Sequence, residues 1–113
     1  MTCVTVLSFF FILPVSGQTD VQMDQGSQVF NKWCRICHGE PVSSIDMVGT
    51  AKLQERYQGV VPALLEERTN MTQEFIETIV RNGISIMPFY RKTEVSDEDL
   101  DALVAYLTRN NPD

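Results

Sequence analysis

Two cysteines and the chain's only histidine stand together as Cys34-Arg35-Ile36-Cys37-His38. This is the C-x-x-C-H spacing of c-type haem attachment. Each thiol can add across a vinyl group on one edge of the porphyrin, and the two-residue spacing sets the sulfurs opposite both vinyls. The histidine that follows is then held beneath the iron as its proximal ligand. Three rival chemistries use the same residues. A redox disulfide of the thioredoxin kind needs a βαβ context, which the pattern lacks. A tetrahedral zinc site needs about four ligands, more than two cysteines and one histidine supply. A plain structural disulfide leaves His38 unexplained.

With His38 as the sole histidine, a second iron ligand must be of another type, or the iron stays open. Methionine thioether is the soft donor that raises the potential of electron-transfer haems. The sequence holds five methionines. Met1 leads the apolar N-terminus, and Met23 precedes the haem motif in an expected first helix. Met47 is a short reach beyond His38, and Met71 stands beside a helix start where core packing explains it. Met87 lies in Asn82-Gly83-Ile84-Ser85-Ile86-Met87-Pro88-Phe89, on a loop stiffened by Pro88 between two helices, and is the expected sixth ligand. The competing reading is a core methionine beside an open or differently ligated iron.

The elements that must position these residues read as helices. Gly26, Val29, Phe30 and Trp33 recur at helical spacing over 24–33, ending at the cysteine pair. A second short helix is expected over 51–58, with Gly59 as its stop. Thr72 is a cap for a third helix carrying Phe75, Ile76, Ile79 and Val80 on one face, closed by Arg81 and Gly83. Ser96 and Asp99 have capping-box spacing before a last helix that buries Leu100, Leu103, Val104 and Leu107. No alternating strand pattern emerges, so the fold class is all-α.

Cys3 to Val15 is an uncharged apolar run, too short to span a bilayer and fitting the core of a secretory signal. Residues 1–17 read as that signal, although no Lys or Arg precedes the run, and residues 18–113 as a single domain. The alternatives are an uncleaved anchor or a buried strand. A 96-residue remainder sits near the lower limit for an unaided core, so a cofactor would supplement it. Nine Lys and Arg against fifteen Asp and Glu give a net charge of −6, which disfavours nucleic acid and anionic membrane surfaces. Glu94, Asp97, Glu98, Asp99 and Asp101 read either as a docking patch or, more simply, as acids favoured at a helix N-terminus.

The ordered pattern of Gly26-x-x-x-Phe30, Cys34 to His38, Met87-Pro88 and Leu103-x-x-Tyr106-Leu107 resembles the class I monohaem cytochromes c over nearly the whole mature chain. The resemblance implies the cytochrome c fold, short helices wrapped around one covalently bound haem c. It also implies that the first and last helices cross at Gly26 against Tyr106. Pro62-Ala63-Leu64 looks like the family element whose proline carbonyl accepts the proximal histidine's second N–H, though Val61 replaces the usual glycine. More narrowly, Pro62 to Thr69, Val80 to Gly83 and Met87 to Glu94 are similar to the cytochrome subunits of flavocytochrome 4-alkylphenol hydroxylases, of the p-cresol methylhydroxylase and eugenol hydroxylase types. That similarity implies a periplasmic single-electron carrier, not itself an enzyme, reduced by a flavoprotein partner that oxidises 4-alkylphenols. A general respiratory shuttle shares every haem feature and differs only in partner. A ligand-binding or catalytic haem protein would need Met87 off the iron. With both axial positions taken by His38 and Met87, and water excluded by Trp33, Leu64, Phe75 and Ile79, outer-sphere electron transfer is the remaining task.

Overall fold

The computed structural model describes residues 16–42 and 47–112. The apolar run from Cys3 to Val15 lies outside the described residues. Five α-helices follow in order: α1 (Ser16–Val29), α2 (Arg35–His38), α3 (Val48–Tyr57), α4 (Gln73–Asn82) and α5 (Asp97–Thr108). A π-helical turn, Phe30–Cys34, joins α1 to α2, and a 3-10 turn, Leu65–Glu67, lies between α3 and α4. An isolated β bridge pairs Ile84 with Met87. The class is all-α, as the periodicity implies.

α1 and α5 cross at Gly26. A Cβ there would run into the Ala102 carbonyl and come within 2.6 Å of Tyr106 Cβ, so only glycine lets the backbones meet. Phe30 is fully buried beside the crossing, its ring centroid 6.0 Å from that of Tyr106. Around it the core gathers Val29, Met71, Ile76, Val80 and Val95 with the inner face of α5. Leu100, Leu103, Val104 and Leu107 form that face, and Met71 is the core residue its setting implied.

The first helical segment is longer than the 24–33 stretch its apolar spacing marks. Backbone hydrogen bonding carries it from Ser16 and, through the wider π turn, into the cysteine motif. The polar residues before Asp24 show no apolar stripe to reveal this. α3 likewise starts at Val48, and it stops where Gln58 and Gly59 adopt left-handed backbone (φ 48° and 84°). α4 is capped by Thr72, whose hydroxyl accepts from Phe75 N at 3.2 Å. Phe75 itself is 51% exposed and leaves the stripe to Ile76, Ile79 and Val80.

Ser96 caps α5 by accepting from Asp99 N at 3.0 Å. The reciprocal half of the expected capping box is absent from the hydrogen bonds of these residues. Asp99 Oδ1 instead accepts from Gln25 Nε2 of α1 at 3.0 Å. An aspartate is one methylene shorter than the glutamate this motif favours, and a donor on the crossing helix takes its carboxylate.

Candidate cofactor site

Cys34 ends the π turn, and Cys37 and His38 lie in α2, so one continuous helical path presents all three. Both thiols are free and half-buried. Burial, reinforced by the neighbouring Cys37, pushes the Cys34 thiol up to about 12. The N-terminus of α3 packs directly on the imidazole. A Cβ at Gly49 would lie 2.6 Å from His38 Cε1 and 2.7 Å from both Nδ1 and the Cys37 carbonyl. Thr50 Oγ1 fastens this contact by donating to Gly39 O at 2.9 Å.

His38 Nδ1 is buried and makes no hydrogen bond. The bond expected from it to the Pro62 carbonyl is not formed; that carbonyl accepts from Arg68 Nε at 2.9 Å. A carbonyl oxygen has two lone pairs, so the arginine occupies Pro62 without exhausting it. Arg68 is only 5% exposed, stacks 4.6 Å from the centroid of the Tyr57 ring, and leaves Nη2 buried without a partner. Burial first, and then the Arg68 charge, hold His38 below the ordinary imidazole value. Sequence reading singled out Pro62 but gave Arg68 no role; the signal available was its place in the Pro62 to Thr69 stretch.

Met87 is half-buried in a tight loop after α4. Ile84 N donates to Met87 O at 3.1 Å, and Met87 N returns a bond to Ile84 O at 2.9 Å. Gly83 makes the entry possible: its φ is 69°, and a Cβ would stand 2.6 Å from Met87 O. Among the described residues no hydrogen bond joins the Met87 side chain to the cysteine motif. The connection runs through Tyr90, whose hydroxyl donates to Trp33 O at 3.1 Å and whose ring meets Trp33 edge-on at 5.7 Å. Burial raises the Tyr90 phenol, with further contributions from Cys34 and Cys37, so the Met87 loop returns to the same neighbourhood as the cysteines.

The acids of 94–101 are largely engaged internally. Asp97 meets Arg81 and Lys92, Glu94 meets Arg91, and three acids occupy the first turn of α5. The helix-terminus reading accounts for Asp97, Glu98 and Asp99, whereas Glu94 and Asp101 lie outside that turn.

The family model described as cytochrome C oxidase, cbb3-type, subunit III matches residues 21–107. The chain belongs to the cytochrome c family. This cytochrome is also 31% identical over 101 residues to the 4-cresol dehydrogenase [hydroxylating] cytochrome c subunit of Pseudomonas putida, covering 88% of this chain and 74% of that protein. No solved structure matches it. As a family member it is a haem-binding electron carrier rather than the catalytic enzyme.

The residues present fit a haem. Two free thiols stand at attachment spacing, and the imidazole is packed so closely that Gly49 cannot carry a side chain. A buried guanidinium nitrogen without a partner suits a carboxylate, which haem carries as propionates. Phe75, Ile84, Ile86 and Phe89, in α4 and the Met87 loop, expose the apolar area that a porphyrin face would cover.

Proposed function

We propose that this cytochrome is a periplasmic carrier of single electrons. It binds one haem c through thioether bonds from Cys34 and Cys37, with His38 and Met87 as axial ligands. Residues 1–17 serve as the secretory signal and residues 18–113 as the mature domain. The haem supplies a one-electron Fe(III)/Fe(II) couple when bound. The chain does the rest. Cys34 and Cys37 would anchor the haem, His38, kept in place by Gly49 and Thr50, would ligate its iron, and Met87 would supply the second ligand and leave no position open to small molecules. Arg68 meets a propionate, while Trp33, Leu64 and Ile79, all half-buried, keep water from the site. A thioether ligand and a dry surround both favour the ferrous form.

The observation that carries this reading is the helical turn that brings together two unbonded thiols and a half-buried imidazole whose buried Nδ1 has no partner. The ferric protein is expected to show the charge-transfer absorption of an iron–thioether bond. Met87→Ala should abolish that band while the haem stays attached; a band that survives the substitution sinks the axial assignment.

The electron donor is a flavoprotein that oxidises 4-alkylphenols. The similarity to the cytochrome subunit of 4-cresol dehydrogenase supports this, because it extends over most of both chains. Purification of the cytochrome with its partner, followed by addition of a 4-alkylphenol, should reduce the haem. A second reading, a shuttle to a respiratory complex, is favoured by the oxidase-subunit description of the matching family model. A respiratory complex as sole partner would establish it in place of the first.

A further inference from the structure

We propose that Arg81 is the positioning residue for Met87, a clamp that keeps the methionine loop closed on the iron. The proposal rests on the reading of Met87 as axial ligand. Arg81 is the penultimate residue of α4, and its side chain is 22% exposed. Its guanidinium reaches both ends of the stretch that follows Met87. Nη1 donates to Tyr90 O at 3.2 Å and to Val95 O at 2.8 Å. Nη2 donates to Ser96 O at 3.3 Å and pairs with Asp97 Oδ1 at 2.9 Å. One side chain thus ties the end of α4, where the loop departs, to Tyr90, where it returns, and to the start of α5.

The geometry inside this closure is equally specific. Tyr90 N donates to Val80 O at 2.8 Å, so Tyr90 is held by its backbone at both N–H and C=O. Its hydroxyl reaches across to Trp33 O, next to Cys34. Met87 therefore sits in a short arc fixed at Gly83 on one side and at Tyr90 on the other, and Tyr90 is itself bonded to the attachment segment. Removing the guanidinium frees three carbonyls and an ion pair at once and returns conformational entropy to the loop. A lysine cannot substitute, because a single ammonium does not present donors in a fork that spans four acceptors.

A clamp of this kind sets the population of loop-open molecules rather than the strength of the iron–sulfur bond. A small ligand that binds only the open form reports that population, since its apparent affinity scales with the competent fraction. The probe is imidazole, titrated into the ferric holoprotein and followed by loss of the iron–thioether band. Arg81→Gln is expected to retain the band without imidazole and to bind imidazole about tenfold or more tightly than the unaltered protein. Ile76→Val, a core change on the same helix, should lower the melting temperature and leave imidazole affinity unchanged. That contrast separates positioning from general stability.

An Arg81→Gln protein that titrates like the parent, with the parent showing the band, overturns the clamp and leaves the axial assignment intact. A parent that lacks the band and takes up imidazole as readily as Met87→Ala overturns both. If Arg81→Gln does not accumulate with haem, Arg81→Lys is titrated instead; it keeps a charge beside Asp97 but loses the fork. The same direction of change is expected, and unchanged affinity overturns the proposal.

Discussion

A buried arginine without a carboxylate partner is a costly object, and Arg68 is one. Its Nε satisfies Pro62 O and its plane rests on Tyr57, yet Nη2 has no acceptor. Desolvating a charge is tolerated only when an opposite charge or acceptors compensate. With a propionate as that acceptor, Arg68 also places a positive charge near the iron, which disfavours the more positive ferric state. Arg68→Gln is therefore expected to lower the reduction potential by roughly 60 mV, the one-electron equivalent of a tenfold shift. Arg68→Lys should lower it less, and redox titration measures both. Ser85 offers an opposite case at the same scale. It adopts φ 54°, a left-handed backbone that costs a residue with a side chain about 1 kcal/mol. Ser85→Gly should relieve that strain, raising stability to denaturant by up to about 1 kcal/mol, less the entropy glycine loses on folding.

The crossing of α1 and α5 is the least forgiving contact between elements. Gly26→Ala would drive a methyl into the Ala102 carbonyl and Tyr106 Cβ, and both belong to helix backbone or its root. Neither can yield without shifting a helix, so a loss of about 3 kcal/mol is expected, read as a lower denaturant midpoint at unchanged slope. The start of α5 has its own pH signature. Hydrogen bonding to Lys92 leads the causes that hold Asp97 below the usual carboxylate range, and backbone and side-chain bonds from Arg91 do the same for Glu94. A depressed folded value means stability that is present above the unfolded value and lost as pH falls through the folded one. The acid limb should thus begin near pH 4, and Asp97→Asn should flatten it in a thermal-melt series. What the sequence revealed about these elements was local chemistry. Thr72 and Ser96 as caps, Gly83 as a terminus and the four-residue spacing of the α5 face are set by neighbours in the chain. The resemblance supplied the Gly26 crossing. The remainder depended on distant partners: Asp99 meets Gln25, Arg68 takes the Pro62 carbonyl, and Gly49 is shaped by His38. Gln25 and Asp99 share no short window, and although Pro62 and Arg68 are only six residues apart, no helical or capping period pairs them, so spacing alone does not disclose these contacts.

For the whole molecule, the question is what holds residues 47–70 to the rest. The apolar core lies among α1, the π turn, α4 and α5, with Met71 and Val95. α3 adds no side chain to that cluster. It touches the attachment segment through Gly49 and Thr50, while the 3-10 turn is tethered from α5 and its end: Tyr106 donates to the Glu66 carboxylate, and Arg109 and Asn110 donate to its carbonyl. Leu65 of that turn packs against the core, and the other contacts are polar ones around His38 and Glu66 rather than a second core. A domain of this size is already near the limit of what apolar burial alone supports. A haem seated between the cysteine turn, the α3 segment and the Met87 loop would supply the shared centre that joins the two parts, so binding and folding should be coupled. The double variant Cys34→Ser/Cys37→Ser, which cannot form thioether bonds, tests this when prepared without haem. It should show no cooperative heat-absorption peak, weak near-ultraviolet dichroism and residual helix confined to the α1–α5 pair. A compact apoprotein that melts in one sharp transition would mean that the polar tethers suffice, and that the haem is seated in a fold already complete without it.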